Sequence, residues 1–269
     1  MGRKIGMTVL YLVIAVLLAL AVLPFVLMVI TAIQETTTLR FTVDFDKVTL
    51  ANFVKLFTVH DFGSALTTSI VVVVIAVVLN NVVCSLAAFA FAFKPFPGSG
   101  AVFSLYLATM MVPAQVTMIP MFIMFREMGI LGGYLSLALP VVNAFGVFLM
   151  RQFMTSIPPS LLEAARIDGA HDLRIFWSII VPAIKPVLIA LTVFTFLTTW
   201  NDFLWPLVSQ QSGENVTLTL AVSQLKGSFQ TQYGMVMAGT TIAFLVPFLV
   251  YVFLQRQFVE GVTASGMKG

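Results

Sequence analysis

The stretch EAARIDGAHDLRIFWSIIVP, Glu163–Pro182, is a charged, glycine-broken island in a chain that is otherwise apolar enough for a membrane. Of the 269 residues 59% are hydrophobic and only 9% charged, with a mean hydropathy of +1.04. Soluble domains carry roughly a quarter charged residues, so that class is excluded. A bilayer core about 30 Å thick takes roughly 20 apolar residues per helix. Stretches of that kind lie at about 7–33, 66–93, 101–125, 133–150, 183–208 and 234–254. They are continuously apolar rather than alternating, which favours helices over a barrel. The expected fold is an all-α integral membrane protein, one domain over 1–269, with six transmembrane helices.

The first apolar run follows Arg3 and Lys4 but continues from Met7 to Ile33 through Pro24, with no small-x-small site just after it. A signal h-region is about 7 to 15 residues long. The run therefore reads as a retained helix.

Lys and Arg set the orientation, because positively charged short loops stay cytoplasmic. With the amino terminus inside, the inner set is Arg3, Lys4, Lys94, Arg151, Arg166, Arg174, Lys185, Arg256 and Lys268. Arg40, Lys47, Lys55, Arg126 and Lys226 fall outside. The bias puts both termini, and the loop 158–182 between the fourth and fifth helices, in the cytoplasm. The net charge of +3 is thus a topology signal, and no basic stripe for nucleic acid is present.

Within the loop, Pro158 and Pro159 suit the start of a short helix, and Ser160 with Glu163 has capping-box spacing. Gly169 is a suitable stop near Asp168, and Asp172 is positioned to cap a second short helix leading through Phe176 and Trp177 to Pro182 and Pro186. Small Ala164 and Ala165 let such a helix enter a cleft closely, where Glu163 offers a carboxylate. The other reading is that Glu163 only closes its own capping box.

Elsewhere, KPFPGSG at Lys94–Gly100 makes a tight inner turn. Asn52, Phe53 and Phe57 in the outer loop suit a short amphipathic helix, either a docking face or a solvated connector. Pro113, Gln115 and Pro120 interrupt the third run, Asn80 and Asn81 lie in the second, and Asn143 in the fourth. Together with Trp200 and Asn201 these are the candidate pathway residues. Bridges between helices and interfacial anchoring are the competing roles. Cys84 is the sole cysteine, and His60 and His171 lack metal-ligand spacing, so no disulfide, metal site or catalytic residue is proposed.

The order Glu-Ala-Ala, three residues, Gly169, nine residues, Ile179, one residue, Val181-Pro182 resembles the cytoplasmic loop of permease subunits in bacterial ABC importers. Val181 stands where that family usually has leucine. WNDFLWPLV at Trp200–Val208 and QRQFVEGVTASGMKG at Gln255–Gly269 resemble its carbohydrate-uptake branch, in particular the smaller permease of maltose-type importers. The resemblance covers nearly the whole chain. It implies a multi-pass protein of the bacterial inner membrane, paired with a second permease in a heterodimer. Two cytoplasmic ATPase subunits (or a homodimer of one) and an extracytoplasmic solute-binding protein complete the assembly. It also implies that Glu163, Ala164, Ala165, Asp168 and Gly169 couple to the ATPases, and that the tail 255–269 touches them through Gln257, Gly261 and Lys268. The cargo would be a sugar, oligosaccharide or amino sugar, or else a non-sugar solute such as glycerol phosphate.

The chain itself has no G-x-x-x-x-G-K-[ST] loop, so ATP and Mg belong to partner subunits and no cofactor is expected here. An ion-coupled secondary carrier would need intramembrane acidic groups, and only Asp202, near the end of a span, is available. A membrane enzyme would need a convergent set of His, Asp, Glu or Ser groups, and none is evident.

Overall fold

The computed structural model describes residues 2–38, 44–210, 213–226 and 231–266. In chain order the helices are α1 (Gly2–Ala32), α2 (Ala51–Thr58), α3 (Phe62–Phe93), α4 (Ser99–Ala108), α5 (Ala114–Glu127), α6 (Tyr134–Ala138) and α7 (Ala144–Met154). They continue as α8 (Pro159–Ile167), α9 (Asp172–Ile175), α10 (Val181–Ala183), α11 (Lys185–Trp200), α12 (Leu204–Ser209), α13 (Leu218–Gln224) and α14 (Tyr233–Gly266). Among the described residues the only extended pairing is an isolated bridge between Gln34 and Val48.

Three stretches are long and apolar enough to cross a membrane unbroken: Gly6–Ala32, Phe62–Phe93 and Tyr233–Phe253. Three more count as spans only when a bent pair is taken together, which makes six; the interruption expected at Pro113 is one of the bends, and the other two were not anticipated. Ser99–Met111 and Ala114–Glu127 meet at 102°. The cause is Pro113, whose ring drives Val112 out of the helical region to φ −84°, ψ 117°. Tyr134–Val141 and Ala144–Met154 meet at 48°. At that break Asn143 is extended and its side chain caps α7 by accepting the Gly146 N–H at 3.1 Å. The helical pair that makes up the fifth span reaches back to Asp172, so its first half belongs to the loop 158–182, and it bends by 78° between Ala183 and Lys185. Pro186 lacks the N–H that would continue the ladder there. This span ends at Trp200, and residues 204–209 form the separate α12.

The chain divides into two compact units. The first comprises Met1–Gly63 with Leu218–Phe248. In it α2 forms where expected, yet Asn52 faces inward and not outward: its Nδ2 donates to Ala32 O and Gln34 O, both at 2.9 Å. The first of these carbonyls closes α1, whose last turn has no intrahelical donors left. Gly234 sits so close that a Cβ would fall 2.1 Å from Gln34 O, so a side chain is excluded there. Phe25 and Phe244 pack with ring centroids 4.6 Å apart.

The second unit comprises Ser64–Thr217 with Leu249–Gly269. Its larger core joins Cys84, Ala88 and Phe89 of α3 with Val147, Met150 and Met154 of α7 and Val187 and Leu191 of α11. Leu162, Ile175, Phe176 and Ile180, from the segment after α7, enter the same core. A smaller cluster gathers Val72, Ala76, Phe125, Leu137, Ala138 and Trp205. Polar bridges tie α3 to α11: Asn80 Nδ2 donates to Thr195 Oγ1 at 2.8 Å, and Asn81 Nδ2 to Thr192 Oγ1 at 3.0 Å.

Candidate functional site: a rooted loop and a cavity between broken spans

The loop 158–182 is a helix, a glycine turn and a second helix. Pro158 is the N-cap of α8 with Pro159 as its first residue, and no side chain caps it. The expected Ser160–Glu163 capping box is therefore absent, because the double proline already sets the entry to the helix. Glu163 is exposed and makes no hydrogen bond or ion pair within the described chain.

At the other end Gly169 adopts φ +78°. Its N–H donates to Arg166 O at 3.0 Å, and the Ala170 N–H donates to Ala165 O at 2.9 Å. This is a Schellman motif, in which a left-handed residue closes the helix and satisfies its last carbonyls. Asp168, just before the glycine, is exposed.

The second helix is capped by His171, whose Nδ1 accepts the Arg174 N–H at 3.3 Å, rather than by Asp172. Asp172 turns outward instead and pairs with Lys94 Nζ at 2.7 Å, with Arg166 Nη2 at 4.0 Å. A pair this exposed is screened and fixes direction more than it stabilises. Accordingly Lys94→Ala is expected to unfold at the same temperature as the unaltered protein in a detergent melt.

From α9 the helix passes through a π-helical turn, Phe176–Ile180, into α10. Phe176 is buried and meets Phe89 edge-on at 5.5 Å. The loop thus has two faces. Leu162, Ile175 and Phe176 are sunk in the core, while Glu163, Ala164, Ile167, Asp168, Leu173 and Trp177 are exposed, Ile167 at 86%. Ala165 packs partly against the core. Exposed apolar groups on so short an element are a surface that a partner would cover.

The expected pathway residues separate into two sets. Asn80 and Asn81 are bridges between α3 and α11, as above. Trp200 is buried and stacked on Phe196, with centroids 5.8 Å apart, and Asn201 Nδ2 returns to Leu197 O at 2.8 Å. Gln115 and Asn143, by contrast, line a cavity of about 410 Å³ bounded by α5, the break before α7, and the end of α11 with α12. Thr117, Thr198, Thr199 and Asp202 share its wall. Sequence reading missed the threonines because nothing in an apolar run distinguishes a hydroxyl facing space from one facing a neighbour. Asp202 Oδ1 accepts the Trp205 N–H at 3.4 Å, and Trp205 Nε1 donates to Ser136 O at 2.7 Å, which holds α12 against α6. Of the tail residues, the side chain of Gln257, the surroundings of Gly261 and all of Lys268 lie outside the described residues. No group of three or more metal-ligating side chains occurs among the described residues.

Broken apolar spans around a mainly apolar cavity with a few polar groups define a helical membrane transport subunit. Residues 81–263 match the model of the binding-protein-dependent transport system inner membrane component family, and the chain belongs to that family. It is 33% identical to the lactose transport system permease protein LacG of Rhizobium radiobacter, over 98% of this chain and 97% of that one. It is 31% identical to the arabinooligosaccharides transport system permease protein AraQ of Halalkalibacterium halodurans, over 93% and 92% respectively. In fold it is similar to a solved bacterial ABC transporter involved in the import of the acidic polysaccharide alginate, with a TM-score of 0.84 at 22% identity, covering 96% of this chain and 98% of that one. The chain is accordingly an inner-membrane permease component of a binding-protein-dependent ABC importer.

Proposed function

We propose that this permease imports a carbohydrate, forming half of the pathway in a heterodimer with a second permease. Two ATPase subunits grip the loop 158–182 from the cytoplasm, and a solute-binding protein delivers cargo on the opposite side. The similarity to permeases named for lactose and for arabinooligosaccharides supports the cargo class. Both termini lie in the cytoplasm in this reading, in keeping with the Lys and Arg bias, and the tail 255–269 reaches the ATPases through Gln257, Gly261 and Lys268.

The observation that carries the mechanism is the two-faced loop. Its outer face leaves Glu163 unpaired beside Ala164 and Gly169, while its inner face sends Leu162, Ile175 and Phe176 into the core shared by α3, α7 and α11. A push on the outer face therefore reaches the packed helices directly, since close-packed interiors transmit displacement. ATP binding to the motor subunits favours one arrangement of the helices and hydrolysis releases it, so each state must bind its ligand more tightly than the other. No step of that chemistry occurs in this chain.

The test is reconstitution of the complete transporter in proteoliposomes with its copurifying binding protein. Uptake and ATPase stimulation by a sugar-loaded binding protein are the expected results. Stimulation by glycerol phosphate alone would move the cargo to the phosphate class, and uphill uptake by the isolated chain would overturn the division of labour.

A further inference from the structure

We infer that Arg151 holds the phosphate of an anionic phospholipid, in the leaflet on the side of the loop 158–182. Arg151 lies in the last turn of α7, the helix that leads into that loop, and its guanidinium carbon is 4.3 Å from the centre of the Phe103 ring in α4. A cation over an aromatic face is held there by the ring's electrons. Phe103 is itself buried and packs on Phe91 of α3, with ring centroids 5.2 Å apart. Residues of three helices thus set the place of one guanidinium.

That charge has no counter-charge from its own chain. Among the described residues Arg151 makes no hydrogen bond or ion pair, and its Nε is buried without a partner. Lys94, which follows α3 at the same end of the helices, is by contrast paired with Asp172 at 2.7 Å. A half-buried guanidinium left uncompensated is costly, and its planar fork suits two oxygens of one phosphate. With one face against Phe103 and Nε enclosed, the two Nη groups are what remains for a ligand.

Depth and surroundings favour a lipid as the source. Arg151 is three residues from the end of α7 and Phe103 four from the start of α4, about 5–6 Å inside the helix ends and within an arginine's reach of headgroups. Phe148, one turn back on α7, is exposed, as are Val102 and Leu105 next to Phe103 in α4, Leu105 at 72%. Acyl chains can lie on apolar groups of this kind. A carboxylate of a second permease would have to be desolvated to reach Arg151 among them, whereas a phosphodiester already lies at headgroup depth, where basic sites between helices take anionic lipids.

The experiment is native mass spectrometry of the assembled transporter, delipidated in detergent and titrated with phosphatidylglycerol, with phosphatidylcholine of the same chains, or with inorganic phosphate. The tightest site is expected to prefer phosphatidylglycerol to phosphatidylcholine by about tenfold, and Arg151→Gln to remove that margin. Arg151→Lys keeps a charge without the fork and is expected to lose about threefold. It carries the test should Arg151→Gln fail to assemble.

Equal binding of the two lipids, or a margin unmoved by either substitution, overturns the inference. Binding of inorganic phosphate that depends on Arg151, with no preference between the lipids, overturns it in favour of a free anion. A margin unmoved in Arg151→Lys, together with loss of the second permease from the Arg151→Gln complex, assigns the guanidinium to a carboxylate of that subunit and overturns it too. Each of these results leaves the carbohydrate reading untouched, because no sugar enters the measurement.

Discussion

Glu163→Lys is expected to abolish uptake by the reconstituted transporter while leaving the amount of membrane-inserted chain and its melting temperature unchanged. Glu163 is exposed on α8 and bonds to nothing in its own chain, so charge reversal there removes no internal interaction. Surface substitutions of that kind usually change stability by no more than about 0.5 kcal/mol. On the proposed reading the loss falls on the contact with the ATPases. A companion variant, Gly169→Val, reaches the same contact through the backbone. Nothing lies within 4 Å of a Cβ at Gly169, so crowding is not the cause; its φ of +78° is. A left-handed residue with a side chain costs about 1–2 kcal/mol, and a β-branched one more. The Schellman closure at Arg166 and Ala165 should then give way and α8 should tilt or fray. Sugar-stimulated ATPase activity should fall with uptake in both variants. Normal uptake by Glu163→Lys would reject the proposed coupling surface.

The second large effect lies in the core. At Gly146 a Cβ would fall 2.6 Å from Cys84 Sγ and 3.3 Å from Leu191 Cδ2, so α7 approaches α3 more closely than any side chain permits. Gly146→Leu is expected to prevent recovery of folded protein. Even Gly146→Ala should cost about 1–3 kcal/mol by overpacking, in addition to disturbing the bond from Cys84 Sγ to Asn80 Oδ1 at 3.0 Å. Cys84→Ala in the same chain removes the clashing sulfur and should restore much of the loss, as read by fluorescence-detected size exclusion after heating. An unchanged midpoint for Gly146→Ala would mean that the two helices part at little cost.

The sequence announced the apolar spans because bilayer length is a crude, strong signal, and it announced Gly169 because only a residue without a side chain suits the turn that ends α8. Pro113 marked a break correctly, since proline constrains the residue before it. Asn143 did not reveal that it caps a helix beginning inside an apolar run, because its partner is a backbone N–H with no letter of its own. The Ser160–Glu163 pair had the right spacing for a box that does not form; spacing cannot tell whether Pro158 and Pro159 have already started the helix. Asn80 and Asn81 likewise read as polar groups in a span, and only the fold shows that their partners are Thr195 and Thr192, more than a hundred residues away.

The wide turn at Phe176–Ile180 accommodates one residue more than a regular helix would use. Deleting a single residue there would restore an ordinary pitch, yet it would rotate everything upstream by roughly 100° about the axis. The α8 segment, joined through the Gly169 turn, would be swung away from the core that Leu162 enters. If the loop works as proposed, the bulge sets the phase of a lever, and the orientation of its grip is written in the length of the shaft, several residues away from the grip itself.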